Sequence, residues 1–278
     1  MPGNGNLTQV ADLIRETAAA ELLPRFRNLS KDDVRQKRPG DLVTVADVAS
    51  EQRLASGLAK ILPGVPVVGE EAVEADPGLL RLIGRPGERC WIVDPLDGTS
   101  NFAAGNATFA VIVALVENGR TVGGWILDVP NGRMAVALAG RGVTLEGVPV
   151  VGAPAGTSPA GFVGYKIRKA FEQQLPAIRQ RGIGPVSTLR CAGVEYLEIL
   201  AGRATFSIYR RTKPWDHAAG ALMLAEAGGG AVRFDGHDYG PAQPTDAGII
   251  GAPSRQALAE VQAAFEALEL PLLHPTED

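Results

Sequence analysis

The sequence predicts a layered α/β fold, and three features of the chain support that prediction. Amphipathic helical patterns cover residues 7–26 and 47–61 near the start of the chain. Longer apolar segments in the first half are typical of an antiparallel sheet, whereas short apolar segments alternate with helical patterns in the second half. Helices and sheets with one apolar side bury that side by stacking in layers, so an α/β architecture follows.

Composition and charge exclude some classes of function. The 278 residues are enough for one large domain or two modest ones, and a content of 45% hydrophobic and 21% charged residues is typical of globular proteins. The formal net charge is -4, with 27 basic against 31 acidic residues. A nucleic-acid backbone binds surfaces that carry an excess of positive charge, so nucleic acid is not the expected partner.

Cysteine usage and the N-terminus predict a cytoplasmic protein. Cys90 and Cys191 are the only cysteines, and isolated thiols are typical of a reducing compartment. The first residues lack a basic stretch followed by an apolar one, and no apolar run approaches the roughly 20 residues that span a bilayer. Neither secretion nor membrane insertion is therefore predicted.

The elements of the first half follow from periodicity and from residues that break helices. Residues 7–26 place apolar side chains at steps of three and four, as an amphipathic helix does. A second helix, residues 47–61, stops before Pro63 and Gly64, which turn the chain into a short strand at 65–68. Further strands are predicted at residues 90–93, 107–116, 121–129 and 133–138.

Two turn-rich segments organise the rest of the chain. Asn118 and Gly119 lie between two apolar runs and predict a β-hairpin. The Gly- and Pro-rich residues 147–159 predict a soft boundary between subdomains 1–148 and 149–278. Beyond the boundary, strands are predicted at residues 161–165, 186–189, 204–209 and 248–251, and helices at 170–181, 193–200, 215–227 and 255–268.

Acidic residues recur at predicted strand ends and helix starts, where a rigid scaffold can direct them into one cleft. The apolar strand that begins at Cys90 delivers Asp94, Pro95 fixes the backbone, and Asp97 returns to the same side within a tight turn. Two carboxylates are therefore expected to lie close together. The full acidic set comprises Asp47, Glu70, Glu71, Asp94, Asp97 and Asp216.

Neighbouring carboxylates favour a bound metal ion. Two ionised carboxylates repel each other, and a divalent cation between them relieves that repulsion. Neither His nor Cys adjoins Asp94 and Asp97 within the turn, so the ligands are oxygens. Oxygen ligands favour a hard ion, Mg²⁺ or alternatively Mn²⁺, over zinc.

The residues after Asp97 predict a phosphate site. If a helical turn starts at Gly98, Thr99 and Ser100, its free N–H groups can bind a phosphate, and Gly98 allows close approach. Thr99 is placed to align a water molecule. Metal ions beside such a phosphate are typical of metal-assisted phosphoryl transfer.

Each acidic position also has a purely structural interpretation. Asp94 and Asp97 can be an Asp-rich turn with local hydrogen bonds, the pair at 70–71 can be solvated, and Asp216 can cap a helix. Taken one position at a time, these structural roles are the more frequent ones.

Taken together, the segments resemble the inositol monophosphatase family of magnesium-dependent, lithium-sensitive phosphatases. The resemblance spans most of the chain, and its most specific part is Trp91 to Asn101. It rests on the residues Asp-Leu-Val-Thr-Val-Ala-Asp at 41–47, Gly-Glu-Glu at 69–71, the segment 91–101, Pro-Trp-Asp-His-Ala-Ala-Gly at 214–220 and Glu-Ala-Gly-Gly at 226–229.

The resemblance implies a fold and a metal centre. The fold is an αβαβα sandwich of two subdomains, in which residues 1–148 carry most ligands and residues 149–278 carry Asp216 and the specificity loops. Two or three Mg²⁺ ions per site are implied. Their ligands would be Glu70, Asp94, the carbonyl of Leu96, Asp97 and Asp216.

The resemblance also implies roles for the remaining residues. Glu70 and Thr99 polarise the attacking water, Asp47 assists at the outermost ion, and the backbone N–H groups of Gly98 and Thr99 bind phosphate. No phosphoenzyme is expected. Members of the family are commonly dimeric, so a homodimer is expected.

Two departures bear on the substrate. Family members that act on inositol phosphates carry a Gly-Ser/Thr-Ala-Ala loop and an acidic residue seven positions before the Trp-Asp aspartate, whereas this chain has Arg-Cys-Ala-Gly at 190–193 and Tyr209. A carboxylate that grips a substrate hydroxyl is therefore expected to be absent. Substrate contacts are expected from Asp97, Arg190, Ala192 and Tyr209.

Several further charged residues have two interpretations. Cations near the specificity loops meet either a second anionic group of the substrate or surface ion pairs. His217 is expected to hydrogen-bond within the start of a helix, and Lys37 and Arg38 are expected to be solvated loop charges. The cations near the loops are Arg190, Arg210, Arg211 and Lys213.

The predicted function is magnesium-dependent hydrolysis of a small phosphomonoester, an inositol or sugar monophosphate, by metal-activated water. Alternative substrates are histidinol phosphate, fructose 1,6-bisphosphate and 3'(2'),5'-bisphosphate nucleotides. A regulatory binding protein on the same scaffold, without turnover, is the alternative outside catalysis.

Overall fold

The computed structural model describes residues 4–152, 160–164, 167–169, 176, 186–243, 246 and 248–266. Within them, the helices are α1 Asn4–Thr17, α2 Val45–Ile61, α3 Glu70–Ala75, α4 Thr99–Ala103, α5 Ala192–Leu200, α6 Pro214–Glu226 and α7 Arg255–Glu266. The strands are β1 Val34–Arg38, β2 Asp41–Thr44, β3 Val67–Gly69, β4 Arg89–Asp97, β5 Ala110–Glu117, β6 Arg120–Asp128, β7 Arg133–Leu138, β8 Val143–Leu145, β9 Val148–Val150, β10 Gly161–Val163, β11 Val186–Ser187, β12 Phe206–Tyr209, β13 Gly230–Arg233 and β14 Ile249–Ala252.

The larger sheet contains seven strands in the order β3-β4-β5-β6-β7-β8-β9. Strands β3 and β4 are parallel, and every other neighbouring pair is antiparallel. The register between β4 and β5 shifts between Asp94 and Asp97. Such a bulge bends the strand and changes the direction of its side chains, so the irregular end of β4 lies where the sequence places the two aspartates.

Helices cover both faces of this sheet. On one face, Ile14 of α1 and Leu54 of α2 pack with Trp91 and Trp125 of the sheet. On the other face, helices α5 and α6 pack against the alternate side chains of β4 and β5. Alternation along the strands thus builds two separate apolar layers from one sheet.

A second sheet lies beyond α5 and α6, with five strands in the order β11-β10-β12-β14-β13. Residues of α7, including Ala257 and Val261, pack on it together with Phe206 and Ile250. The layers therefore run helix, sheet, helix, sheet, helix. The predicted αβαβα sandwich is confirmed.

Several helices and strands begin or end at residues other than those predicted. The helix predicted at 7–26 ends at Thr17 and passes into a wider helical turn at Ala18–Leu22. The helical segment stops before Pro24, which has no N–H to continue it. There the amide of Leu23 donates to the carbonyl of Ala18, five residues back. Strand β4 is also longer than the predicted 90–93.

Some elements had no prediction, and one prediction cannot be compared. The β1–β2 hairpin was missed because its residues at 34–38 are mostly charged and polar, and β13 because Gly228, Gly229 and Gly230 suggested only a turn. Of the helix predicted at 170–181, all but residue 176 lies outside the described residues.

The two-subdomain division remains a prediction. The larger sheet ends at Val150 and the smaller one begins at Gly161, so the change of sheet occurs in the segment that is rich in Gly and Pro. Among the described residues, no helix is long and apolar enough to cross a lipid bilayer.

Candidate functional site

The turn after β4 brings two aspartates and a helix start together. Asp94 is 2% exposed, and its Oδ1 accepts a hydrogen bond of 3.0 Å from the amide of Leu96. Gly98 follows with φ +88°, and a Cβ there would lie 2.9 Å from the carbonyl oxygen of Thr108. Only glycine meets both conditions, so Gly98 is required for α4 to begin at Thr99 as predicted.

Five carboxylates, those of Asp41 at the start of β2 and of Glu70, Asp94, Asp97 and Asp216, line one cavity of about 560 Å³. Glu70 is the first residue of α3, Asp94 and Asp97 lie at the end of β4, and Asp216 lies in the first turn of α6. Gly98 and Thr99 line the same cavity. The structure therefore brings together the predicted metal ligands and the predicted phosphate-binding residues.

Burial and mutual repulsion dominate the electrostatics of these acids. Burial, joined by repulsion from neighbouring carboxylates, raises the pKa of Asp94 well above its ordinary value and that of Asp97 to about 7. The pKa values of Glu70 and Asp216 are raised for the same first reason, although Lys213 opposes the change in both. The cluster therefore carries more negative charge than its surroundings stabilise, which favours a bound cation.

Two lysines partly neutralise the cluster. Lys213 Nζ lies 3.1 Å from Glu70 Oε1. Lys37 Nζ lies 2.6 Å from Glu71 Oε1 and 3.7 Å from Glu70 Oε1, and its side chain is only 8% exposed. The expectation that Lys37 is a solvated loop charge is wrong, because the β1–β2 hairpin folds it over α3. Arg38, by contrast, has a side chain that is 67% exposed and pairs with Glu74.

The acids do not surround a common centre in the described part of the chain, where no three His, Cys, Asp or Glu side chains are arranged to hold a metal ion. Glu70 faces Lys213 instead, and Asp97 Oδ2 accepts hydrogen bonds from Gly193 N at 2.6 Å and Cys191 Sγ at 3.2 Å. The donor chemistry nevertheless fits magnesium, since carboxylate oxygens with raised pKa values gain most from a hard cation.

Asp47 and Thr99 meet beside this cluster. Thr99 Oγ1 lies 2.9 Å from both Asp47 Oδ1 and the carbonyl oxygen of Leu96. Asp47 Oδ2 accepts from the amide and hydroxyl of Thr44, which caps α2. Burial raises the pKa of Asp47 to about 7. The segment 41–47 is therefore fixed against the segment 91–101 through Asp47 and Thr99, the two residues to which neighbouring roles are assigned by prediction.

Glu51 was missed by the sequence analysis. Its Oε2 and Oε1 each accept a hydrogen bond of 2.8 Å, from the amides of Glu71 and Ala72 respectively. A Cβ at Gly69 would lie 2.3 Å from the Glu51 carboxylate. Glu51 therefore contacts the chain both before and after Glu70, at Gly69 and at the amides of Glu71 and Ala72. The signal that could have found it is its spacing, one helical turn after Asp47.

A second cavity of about 400 Å³ adjoins the first, and Asp97, Arg190 and Asp216 line both. Ala192 and Tyr209 line the second cavity too, so all four predicted substrate contacts border it. Their roles remain predictions.

A carboxylate lies beside Tyr209, whereas the expectation that no carboxylate grips a substrate hydroxyl stays a prediction. Glu195, which is 0% exposed as a residue, accepts a short hydrogen bond from the Tyr209 hydroxyl. Helix α5 supplies this carboxylate from a position 14 residues before Tyr209. Sequence spacing counted back from Asp216 could not reveal it, because the contact is made across two elements.

Two further residues differ from their predicted structural roles. Asp216 does not cap α6, because the residue before the helix is Lys213. His217 Nδ1 lies 3.1 Å from the Tyr196 hydroxyl and its Nε2 lies 3.0 Å from the carbonyl of Arg211. Burial lowers the pKa of His217 to about 4. His217 thus stays neutral and ties α6 both to α5 and to the loop before α6.

Known proteins resemble this chain both in sequence and in structure. A Nus factor SuhB from Pseudomonas aeruginosa is 32% identical over 80% of this chain and 84% of its own length. An inositol-1-monophosphatase from Bacillus subtilis is 27% identical over 84% of this chain and 89% of its own length. A Thermotoga maritima IMPase structure superposes with a TM-score of 0.75 at 23% identity and covers 94% of this chain and 98% of that chain.

A family model decides the assignment. The model described as inositol monophosphatase family matches residues 5–269, which include every segment that lines the two cavities. The chain therefore belongs to the inositol monophosphatase family and is a phosphoric monoester hydrolase.

Proposed function

We propose that this protein hydrolyses a small soluble phosphomonoester with magnesium as its cofactor. The observation that carries the proposal is the convergence of Glu70, Asp94, Asp97 and Asp216 on one cavity that Gly98 and Thr99 also line. Anionic side chains alone would repel a phosphate. A cavity that combines them with an anion-binding turn suits a substrate whose charge is balanced by bound cations.

The chain's own residues divide the work. Glu70, Asp94, Asp97, Asp216 and the Leu96 carbonyl would hold two or three Mg²⁺ ions, or Mn²⁺ in their place. The bound metal supplies positive charge for the phosphate and for the departing oxygen, and lowers the pKa of water. To hold these ions the acids would have to be ionised, and Lys213, which donates a hydrogen bond to Glu70, would have to move aside.

Thr99 and its neighbours would orient the reactants. The Thr99 hydroxyl lies between Asp47 and the Leu96 carbonyl, so its proton is directed to an oxygen acceptor and its lone pairs are free to accept from water. Glu70 would take part in removing the proton of that water. The backbone of Gly98 and Thr99 would bind phosphate, because the first N–H groups of a helical turn have no partner within the turn.

We propose inositol or sugar monophosphates as substrates, since an inositol-1-monophosphatase is among the relatives. A panel that also holds histidinol phosphate, fructose 1,6-bisphosphate and adenosine 3',5'-bisphosphate would rank the alternatives by kcat/KM. Release from the bisphosphate nucleotide alone would overturn the monophosphate assignment.

The metal centre is tested by Asp94→Asn. Purified wild-type protein should release phosphate in Mg²⁺ and stop in chelator, whereas Asp94→Asn should lose at least about 100-fold in kcat because it removes a metal ligand at the centre of the cluster. Mg²⁺ should also raise the melting temperature of the wild type, as a ligand that binds only the folded state does. The variant should show little of that increase.

The control for this test is Asp12→Asn, at an exposed position on α1, which should keep both activity and the magnesium-dependent rise in melting temperature. The proposed metal centre is contradicted if wild-type activity survives chelation, or if Mg²⁺ does not change the melting temperature. We also expect added Li⁺ to lower the rate.

One relative is named a Nus factor, which keeps a regulatory binding role as the second candidate. A protein that is inert on the whole panel, with a biological effect that survives Asp94→Asn, would support that role. We keep the cytoplasm as the proposed compartment because Cys90 and Cys191 are both free and buried. A homodimer also stays a proposal, which light scattering would test.

A further inference from the structure

The side chain of one asparagine joins the helical turn after β4 to a loop in the second half of the chain. Asn101 lies in α4, and its Nδ2 donates to the carbonyl oxygens of Thr108 at 2.9 Å and of Leu189 at 2.8 Å. Leu189 belongs to residues 188–191, which connect β11 to α5 and are called the α5 loop below. The amide group of Asn101 thus uses its two N–H donors to connect segments far apart in the chain.

Helix α4 does not need this side chain for its own hydrogen bonds. The amides of Asn101 and Phe102 donate to the carbonyl of Gly98 at 2.8 and 3.0 Å, and the amide of Asn106 donates to the carbonyl of Asn101 at 2.8 Å. The ring of Phe102 also packs edge-on against Phe109, with ring centres 5.0 Å apart. Backbone and core contacts therefore hold α4, and the contact from Asn101 to Leu189 serves the α5 loop.

The α5 loop has a backbone conformation that its surroundings must hold. Arg190 has φ +56°, which few residues other than glycine adopt and which persists only where neighbouring groups fix it. From the α5 side, Glu195 Oε1 accepts from Leu189 N at 2.6 Å and from Thr188 Oγ1 at 3.0 Å. Asn101 holds the same loop from the α4 side. The loop is therefore fixed between the two helices.

This loop and α4 carry different parts of the predicted substrate site. Arg190 and Ala192, at the end of the loop and the start of α5, are predicted to contact the body of the substrate, whereas the start of α4 is predicted to bind its phosphate. Between them, Asp97 Oδ2 accepts from Cys191 Sγ at 3.2 Å and from Gly193 N at 2.6 Å. The distance between the two parts therefore depends on how the loop is held against α4.

We propose that Asn101 is a positioning residue, which fixes the α5 loop against α4 and so sets where the body of the substrate lies relative to its phosphate. Asn101 does not line either cavity, so it acts through the loop. The inference rests on the proposed function, because the substrate roles of the loop and of α4 belong to that function.

The first test follows the α5 loop through its own thiol. Cys191 is 2% exposed and Cys90, in β4, is 1% exposed, and the chain has no other cysteine. Alkylation by N-ethylmaleimide in chelator, followed by mass spectrometry of peptides, measures how often each thiol becomes accessible. Asn101→Ala should raise the rate at Cys191 by about fivefold or more, the effect of losing one hydrogen bond of ordinary strength. The rate at Cys90 should stay unchanged, since only a general loosening of the core would expose it.

The second test separates the body of the substrate from its phosphate. For inositol 1-phosphate, we expect Asn101→Ala to raise KM by about fivefold or more, and to raise KM more than it lowers kcat. The inhibition constant of inorganic phosphate should stay within about twofold of the wild-type value, because α4 keeps its backbone hydrogen bonds. Asn101→Gln, which keeps the donor group on a longer side chain, should recover part of both changes.

The control is Asn106→Ala, at an exposed asparagine after α4, which should change none of these quantities. A Cys191 rate that stays at the wild-type value, or that rises together with the Cys90 rate, overturns the dependence of the loop on Asn101. A KM that stays unchanged, or that rises only together with the inhibition constant of phosphate, overturns the positioning role.

The labelling experiment keeps this inference distinct from the proposed function, because it requires no turnover. If the wild type releases no phosphate from any substrate, the hydrolase proposal fails separately. The affinity for inositol 1-phosphate, measured by calorimetry in Mg²⁺, then takes the place of KM. An affinity that Asn101→Ala weakens, with faster labelling at Cys191 alone, would still support the positioning role, whereas an unchanged affinity would overturn it.

Discussion

The position of Glu70 depends on another carboxylate, which does not line the cavity. Glu51 accepts the two amides that follow Glu70 in the chain, and its carboxylate fills the space that a side chain at position 69 would need. Such charge-assisted hydrogen bonds are stronger than neutral ones. Glu70 is therefore held by its backbone, which leaves its side chain available for the metal-binding role proposed for it.

We expect Glu51→Gln to lower both stability and activity. The amide can accept only through one oxygen, so its NH₂ group faces one of the two backbone N–H donors. The free energy of unfolding should fall by about 1.5 to 3 kcal/mol, the range for hydrogen bonds to charged groups. Well below the melting temperature, kcat should still fall by about tenfold or more, because Glu70 is displaced.

Thermal denaturation and steady-state kinetics check this expectation. Glu16→Gln, at an exposed position on α1, is the matched control and should change neither quantity. A variant of Glu51 that melts early but keeps wild-type kcat at low temperature would restrict the residue to a structural role.

At the scale of elements, the site depends on how closely α5 and α6 approach. Tyr196 of α5 is 0% exposed, and a Cβ at Gly220 of α6 would lie 2.2 Å from its ring. The same tyrosine bonds His217, one residue after Asp216. The spacing between two helices thus sets the position of a cluster carboxylate.

Gly220→Ala should therefore destabilise the protein even though alanine favours helices. Overpacking of a rigid core costs about 1 to 3 kcal/mol, and a fully buried ring has little room to move, so a net loss of about 2 kcal/mol is expected. Scanning calorimetry should show a melting temperature lower by several degrees. Gly230→Ala is the control, since the nearest atom to its Cβ is 3.9 Å away. Equal melting temperatures for the two variants would contradict this packing account.

The buried ionisable groups should make the stability of the whole molecule depend on pH. Burial raises the pKa of Asp47 and of Asp97 to about 7 from the ordinary 3.8. Between these values the folded state holds two protons that the unfolded chain has lost. Burial lowers the pKa of His217 from the ordinary 6.5 to about 4. Between these two values the unfolded chain holds one proton on His217 that the folded state has lost, which is the opposite effect. The folded state therefore binds more protons throughout this range.

Since the folded state binds the extra protons, stability falls as pH rises through the folded pKa values. In chelator, we expect the melting temperature to decrease from pH 5 to about 7 and then to level off. Added Mg²⁺ should offset much of the decrease. Asp47→Asn should flatten the slope, whereas Asp12→Asn should not. A melting temperature that rises over the same range would show that these acids are already ionised at pH 5.

Much of the fold could be predicted from local sequence pattern, because the buried residues of a helix or a strand recur at a regular spacing along the chain. Strands β5, β6 and β7 and helix α2 lie within a few residues of their predicted bounds. The β1–β2 hairpin was not predictable in this way, since β1 is mostly polar and the two strands pair only with each other. Its consequence, a buried Lys37, was missed with it.

The sequence by itself determined the layered fold, the family resemblance and the carboxylates at strand ends and helix starts, because these are properties of neighbouring residues. Only the tertiary structure decided that Glu51 fixes Glu70, that Lys213 faces it, and that Glu195 reaches Tyr209. Those contacts join elements far apart in the chain. Their geometry is set by the packing of helices against sheets, which no local pattern encodes.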